Sequence, residues 1–168
     1  SYISATFTVL HTCSNIASRN DSKATVTNCY YVNPLGGGKA GMTKVTGTDV
    51  TSGSLCMLLN NNSSVVTTPF GQQLGTDNYP IFGSDYKVIK AAKGDKDASD
   101  NDTYWATFSY RDNDVTLSVP EGRTLAVYNA TVDKQTMTLT QRDDCQVAKG
   151  EGVLLKSDGE YVNVKANE

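Results

Sequence analysis

Between Tyr104 and Ala166 the hydrophobic residues fall at nearly every second position, and this period of two constrains the chain more than any other feature. Trp105, Thr107 and Ser109 alternate with Ala106, Phe108 and Tyr110, and Val115, Leu117 and Val119 alternate with Thr116 and Ser118. Leu125 with Val127, and Met137 with Leu139, continue the pattern. Successive side chains of a strand point to opposite faces, so each run reads as a strand with one face in a core and the other in water. Between the runs lie the turn signals Asp112-Asn113-Asp114, Pro120-Glu121-Gly122, Val132-Asp133-Lys134, Gly150-Glu151-Gly152 and Asp158-Gly159. Strands spaced by roughly 8 to 12 residues with turns between them predict a small antiparallel sandwich or barrel. Composition agrees, because 20 Thr and 16 Val in 168 residues suit a pleated, half-buried surface better than a helix. Trp105 and Phe108 are expected on opposite faces, with the single Trp as the buried anchor. Gly152 is expected to need backbone angles that a β-branched residue avoids.

Before this region the pattern is different. Laying Cys13 on Cys29 sets Leu10 on Val26 and Ile16 on Val32, a repeat of 16 residues within 1–47 whose copies each end in a polar or glycine-rich turn. A single such unit cannot bury its apolar side alone, so stacked β-helix-like rungs are predicted. Thr48-Asp49-Val50-Thr51-Ser52 followed by Leu55, Leu58 and Leu59 predicts one short helix over 48–59, weakened by Gly53. Residues 60–83 form a closing loop with the apolar residues Phe70, Leu74, Tyr79, Ile81 and Phe82. Lys93 to Thr103 is polar throughout and marks the expected boundary between a region 1–92 and a region 93–168. The predicted fold class is therefore mostly β: partial β-helix-like rungs with one short α-helix, followed by a small antiparallel β-sandwich.

Several tracts resemble a known architecture. Tyr104-Trp105-Ala106-Thr107-Phe108, Val119-Pro120-Glu121-Gly122, Leu125-Ala126-Val127-Tyr128-Asn129-Ala130 and Gly150-Glu151-Gly152-Val153-Leu154-Leu155-Lys156 resemble a β-module at the C-terminal end of large secreted or surface proteins of gut Bacteroidetes-type bacteria. Where that family usually carries a Pro-Ala pair, this chain has Val147-Ala148-Lys149. Val26-Thr27-Asn28-Cys29-Tyr30-Tyr31 with Gly36-Gly37-Gly38 is similar to the last rung of the glycine-rich GLUG repeats, and Ser52-Gly53-Ser54-Leu55 and Gly71 to Pro80 resemble the segment that commonly follows them. The resemblance implies an extracellular or cell-surface, non-catalytic structural or adhesive module. Its implied partners are glycans, host or bacterial surface proteins, and neighbouring domains of a longer parent chain. It carries over no catalytic residues.

Charge and hydropathy exclude other classes. With 15 Lys+Arg against 18 Asp+Glu the net charge is -3, which gives no electrostatic reason to expect nucleic acid as a partner. The apolar runs, such as Leu55-Cys56-Met57-Leu58-Leu59, are far shorter than the roughly 20 residues that span a bilayer, so no membrane insertion is expected. Beginning at Ser1 without Met or a leader, the chain reads as a mature product or a piece of a longer one.

Candidate chemistry is sparse. Cys13, Cys29, Cys56 and Cys145 contain no CxxC pair, and His11 completes no zinc set with them. Buried free thiols are the reading, with three full disulfide pairings open. His11 and Cys13 share a strand face but lack the third group that a Cys–His nucleophile needs. Gly36-Gly37-Gly38-Lys39-Ala40-Gly41 has Ala where a phosphate loop needs Ser or Thr, and reads as a glycine turn. Asp95, Asp97, Asp100 and Asp102 place hard oxygen ligands within eight residues, a candidate Ca²⁺ loop without the glycine and terminal Glu of an EF-hand. Tyr30, Tyr31, Tyr79, Tyr104, Trp105 and Tyr110 are the candidate ligand-binding aromatics, since sugars stack on such rings. A carbohydrate-binding module is thus the first alternative to a scaffold. A glycoside hydrolase fragment is the second, with Asp143-Asp144 or Asp114 with Glu121 as carboxylate pairs whose separation a sequence does not show.

Overall fold

A computed structural model describes residues 29–32, 42–63 and 67–167. His11, Cys13, the tract Gly36 to Gly41 and most of the 16-residue repeat lie outside them. The chain divides into two compact units, residues 1–50 and 51–168. Among the described residues no helix is long and apolar enough to cross a membrane.

In the first unit, β1 (Cys29–Tyr31) pairs in parallel with β2 (Met42–Lys44), Tyr30 lying opposite Thr43. Tyr31 O accepts the Val45 amide at 2.8 Å, and Tyr30 and Val45 are buried. Helix α1 (Gly47–Ser52) starts on a capping box: Thr46 Oγ1 accepts the Asp49 amide at 3.1 Å, and Asp49 Oδ2 accepts the Thr46 amide at 2.7 Å. The single helix expected over 48–59 is two. Gly53, at φ 98°, breaks it before α2 (Ser54–Leu59).

The second unit is an antiparallel sandwich. After the short pair β3 (Phe70–Gly71) and β4 (Ile81–Phe82) come β5 (Tyr86–Lys90), β6 (Ala92–Lys93), β7 (Tyr104–Ser109) and β8 (Val115–Ser118). There follow β9 (Leu125–Asp133), β10 (Thr136–Gln141), β11 (Gln146–Val147), β12 (Gly152–Ser157) and β13 (Tyr161–Ala166). One sheet has the order β10-β9-β12-β7-β6 and the other β11-β8-β13-β5. Ile89, Phe108, Val115, Leu117, Val127, Val147, Val153, Leu155, Val162 and Val164, from both sheets, form the core between them. Each fully buried Val or Leu there contributes about 1.5–3 kcal/mol relative to exposure. The boundary expected at residue 93 falls inside this sandwich: β6 ends at Lys93 and pairs with β7, so 94–103 joins neighbouring strands of one sheet.

The four-stranded sheet is covered on its other face as well. Val88 points away from the sandwich core into a second cluster with Cys56, Met57 and Leu74, flanked by Phe70 and Tyr161. Asn163, 2% exposed between Val162 and Val164 of the core, reaches the same side. Its Oδ1 accepts the Leu74 amide at 2.7 Å, and its Nδ2 donates to Gln72 O at 2.6 Å and Lys87 O at 3.2 Å. Asn60 acts in the same way at the end of α2, accepting the Phe70 amide at 3.1 Å and donating to Phe70 O at 3.0 Å. Two buried amides thus stand in for backbone partners that the irregular segment would otherwise lack. Of the apolar residues expected to close this loop, Leu74 is buried, but Tyr79, Ile81 and Phe82 are 50%, 42% and 76% exposed. Phe82 meets Phe70 edge-on at 5.6 Å.

Two further expectations are corrected. Trp105 lies half-buried on the outward face of the five-stranded sheet, and Phe108 is the aromatic anchor of the core. Met137, read as core-facing, is 60% exposed, opposite Val132 at 71%. The cysteines Cys29, Cys56 and Cys145 are free thiols. Burial pushes the Cys56 thiol up to about 11, the Lys87 ammonium opposing it weakly.

Replacing Asn163 by Ala leaves the Leu74 amide and two carbonyls without this partner, and each lost buried bond costs about 1–3 kcal/mol. Urea unfolding of Asn163→Ala is expected to show a loss of about 3 kcal/mol; a change below about 1 kcal/mol would remove Asn163 as the tie between layers.

The glycine turn before β12 also departs from expectation. Gly150, not Gly152, has positive φ, at 77°. A Cβ built on Gly152 meets nothing within 4 Å. Gly150→Val is therefore expected to lower the melting temperature, by about 1–2 kcal/mol of stability or more, whereas Gly152→Val leaves it nearly unchanged. Equal effects of the two substitutions in a thermal scan would contradict this assignment.

Candidate functional site

The outward face of the five-stranded sheet carries a stacked pair of rings beside a cleft. Trp105 of β7 is held there from several sides. Its Nε1 donates to Thr103 Oγ1 at 3.2 Å, and Thr103 Oγ1 in turn donates to Asp95 O. Its ring stacks on Tyr128 of β9 with centroids 6.0 Å apart and planes at 30°. Lys156 of β12, the cross-strand neighbour of Trp105, sets its ammonium 5.5 Å from the ring centroid. Gly94 allows this packing, because a Cβ there would come within 2.6 Å of Trp105 Cδ1.

Beside this cluster opens a cleft of about 980 Å³. Tyr104, Tyr128 and Lys156 line it together with Asp97, Asp100, Asn101 and Asp102 of the loop, Arg123 and Thr124 before β9, and Asp158 after β12. The far rim is tied by Asp158, whose Oδ1 accepts the Thr124 amide at 3.0 Å and whose backbone oxygen accepts from Arg123 Nη1 at 3.3 Å. The lining is mainly polar, and Tyr104 and Tyr128 are its aromatic members.

The acidic residues form one loop but do not converge on one point. Asp97 folds the loop on itself, its Oδ1 accepting the amides of Ser99 at 2.8 Å and Asn101 at 3.0 Å and its Oδ2 accepting Asn101 Nδ2 at 3.2 Å. Asp100, at φ 65°, pairs with Lys96 at 2.9 Å, and Asp102 pairs with Lys93 at 2.8 Å. Asp95 contributes its backbone oxygen to Thr103. Among the described residues no group of three or more His, Cys, Asp or Glu is placed to hold a metal ion. The Asn101 backbone and side-chain hydrogen bonds hold the Asp97 carboxyl below the usual range, with Ser99 adding to them and Lys156 a weaker attraction. The Lys93 hydrogen bond does the same for Asp102.

The other expected residues are scattered. Tyr30 is buried and Tyr31 half-buried in the first unit. Tyr79 is exposed in the segment between β3 and β4. Tyr110 packs against the sandwich core and borders a second cleft of about 1160 Å³ on the four-stranded sheet. Thr116 in that cleft is already bonded, to Asn167 Oδ1 at 2.7 Å and Gln146 Oε1 at 3.0 Å. Of the carboxylate pairs, Asp144 is tied to Arg142 and the Gln146 amide, and Asp114 accepts the Lys149 amide. The residues that sequence reading missed are Tyr128, Arg123, Lys156 and Asp158. Only strand register, which sets Lys156 opposite both Trp105 and Ala126 and Tyr128 opposite Leu154, brings them to one face.

Comparison of the chain with protein-family models, with curated proteins and with solved structures finds no match.

The carboxylates of the loop make a pH dependence with a definite sign. Both Asp97 and Asp102 titrate lower in the folded chain than when unfolded, so their contribution is complete above the ordinary aspartate range and is lost as pH falls through the depressed folded values. In an NMR titration from about pH 6 to pH 2, both carboxyls are expected to titrate below about 3.9, and the Ser99 and Asn101 amides to lose exchange protection over the same interval. Titration of either carboxyl above that value would contradict the loop geometry.

Proposed function

We propose that the chain is a non-catalytic adhesive module of a secreted or cell-surface bacterial protein, and that it makes its contact through the cleft beside Tyr128. The observation that carries this reading is the stacked Trp105–Tyr128 pair on the outward face of the five-stranded sheet, with Tyr128 lining the cleft beside it. Helix α2 and the segment 70–74 cover part of the outward face of the four-stranded sheet around Val88, and the rest of that face borders its own cleft. The parallel β1–β2 pair supports the reading of the first unit as a rung of a repeat, a part that joins the sandwich to preceding domains.

Carbohydrate recognition is the form of adhesion that the lining favours. A sugar ring stacks on the face of an aromatic while its hydroxyls need fixed donors and acceptors. Tyr128 supplies the first, and Arg123, Lys156, Asn101 and Asp97 supply the second. A glycoside hydrolase would need one carboxyl with its pKa raised to act as a general acid. Asp97 and Asp102 are instead held down by the hydrogen bonds that shape the loop, which favours holding a ligand over cleaving it.

The test is a glycan and host-protein binding array, with any oligosaccharide hit titrated against the unsubstituted chain and Tyr128→Ala. Binding is expected to weaken about tenfold in the variant, the loss of one stacked ring, with the melting temperature shifted by only a few degrees. Absence of any binding on the array, binding unaffected by Tyr128→Ala, or turnover of a bound oligosaccharide would each overturn the proposal.

A further inference from the structure

The cleft beside Tyr128 is lined by charges of both signs, Asp97, Asp100, Asp102 and Asp158 against Lys96, Arg123 and Lys156. Their partners within the protein are unequally shared. Each carboxylate is engaged: Asp97 by the amides of Ser99 and Asn101 and by the Asn101 side chain, Asp100 by Lys96 at 2.9 Å, Asp102 by Lys93 at 2.8 Å and Asp158 by the Thr124 amide at 3.0 Å. Arg123 and Lys156, by contrast, form no ion pair among the described residues. Lys156 is held over the Trp105 ring and is only weakly attracted by Asp97. Arg123 donates from Nη1 to Asp158 O at 3.3 Å and forms no other side-chain hydrogen bond among the described residues.

A ring face and a carbonyl oxygen orient a cation without cancelling its charge. Strand register then places both cations beside the aromatic. Lys156 lies opposite Ala126, which shares the outward face with Tyr128 two residues on, about 7 Å along the strand. Arg123 lies beyond Ala126 in the other direction, in the turn where β9 begins. A sugar stacked on Tyr128 would have the ammonium and then the guanidinium within reach of its own substituents or those of the next linked unit.

We propose, on the reading of this cleft as a carbohydrate site, that its ligand is an acidic saccharide, one whose ring carries a carboxylate or a sulfate. Arg123 and Lys156 hold the oxyanion while Tyr128 carries the face of the sugar. Two oxygens of the oxyanion match the planar guanidinium fork, and the ammonium adds a point charge beside it. A neutral sugar offers these donors only hydroxyls, which accept more weakly than an ionised group. With Lys93 included, four carboxylates stand against four cations around the site. The preference therefore arises from contact at Arg123 and Lys156 and not from a surrounding field of one sign.

The test is titration calorimetry of the full chain with trigalacturonate, sialyllactose and a sulfated galactotriose, each against its neutral counterpart: carboxyl-reduced trigalacturonate, lactose and galactotriose. At least one acidic member is expected to bind about tenfold more tightly than its counterpart, and the pair that does so names the oxyanion. That ratio is expected to fall towards one in Arg123→Gln and in Lys156→Gln, while Tyr128→Ala weakens both members of the pair together. Equal binding within every pair, or tighter binding of the neutral members, overturns the acidic ligand and leaves carbohydrate recognition standing. A ratio unchanged in a folded Arg123→Gln, whose side chain is exposed, or in a folded Lys156→Gln overturns the role of that side chain. If none of these saccharides binds, the acidic ligand is overturned, and the glycan array decides separately whether carbohydrate recognition falls with it.

Discussion

The buried amide of Asn163 is the constraint on which the arrangement of the second unit rests. β13 sits in the middle of its sheet, between β8 and β5, and buries alternate side chains in opposite directions. Val162 and Val164 enter the sandwich core, and Asn163 faces an irregular segment that has no ladder of its own to satisfy its backbone. A buried primary amide is costly without partners and stabilising with three of them. Because those partners are Leu74, Gln72 and Lys87, one side chain fixes the segment against the sheet, and with it Leu74 in the cluster of Cys56, Met57 and Val88. Asn60 repeats the device where α2 ends.

This third layer decides where function can reside. One sheet is packed on its inner face and, around Val88, on its outer face as well, and the cleft beside that layer is bordered by residues engaged in structural hydrogen bonds, such as Thr116. Among the described residues no segment packs over the outward face of the other sheet, and the side chains held there are rings and charges fixed by neighbours: Trp105 by Thr103, Gly94, Lys156 and Tyr128, and Asp97 by its own loop. Rigid aromatic and hydrogen-bonding groups that need not reorganise on contact suit binding, because less ordering has to occur when a ligand arrives.

Much of the sandwich was legible in the period-two pattern. Val115, Leu117 and Val127 face the core as the alternation requires, and Phe108 and Trp105 lie on opposite sides of β7. The same pattern misassigned Met137 and Leu139, for a physical reason. Alternation states that two faces differ but not which one is inward, and in β10 that choice is made by the two-residue turn at Lys134, φ 53°, which carries the parity of β9 across the hairpin. Val127 is inward, so Tyr128 and Val132 are outward, and Met137 opposite Val132 must follow. The single Trp was expected inside on grounds of size, but burial follows strand parity, and position 105 has the outward parity. The cleft was less legible still. The acidic loop and Tyr104 could be picked out by composition, whereas Tyr128, Lys156 and Asp158 join them only through cross-strand register, which no local stretch of sequence states.

The apolar row of β10 and the proposed ligand site are connected by that parity. Had the hairpin turn carried the opposite parity, Val132, Met137 and Leu139 would lie on the core side and the threonines on the side of Tyr128. As built, the apolar row continues along the face that bears Tyr128, whose cross-strand neighbour in β10 is Gln141. Gln141 also lines the cleft, so β10 contributes to the proposed ligand site as well.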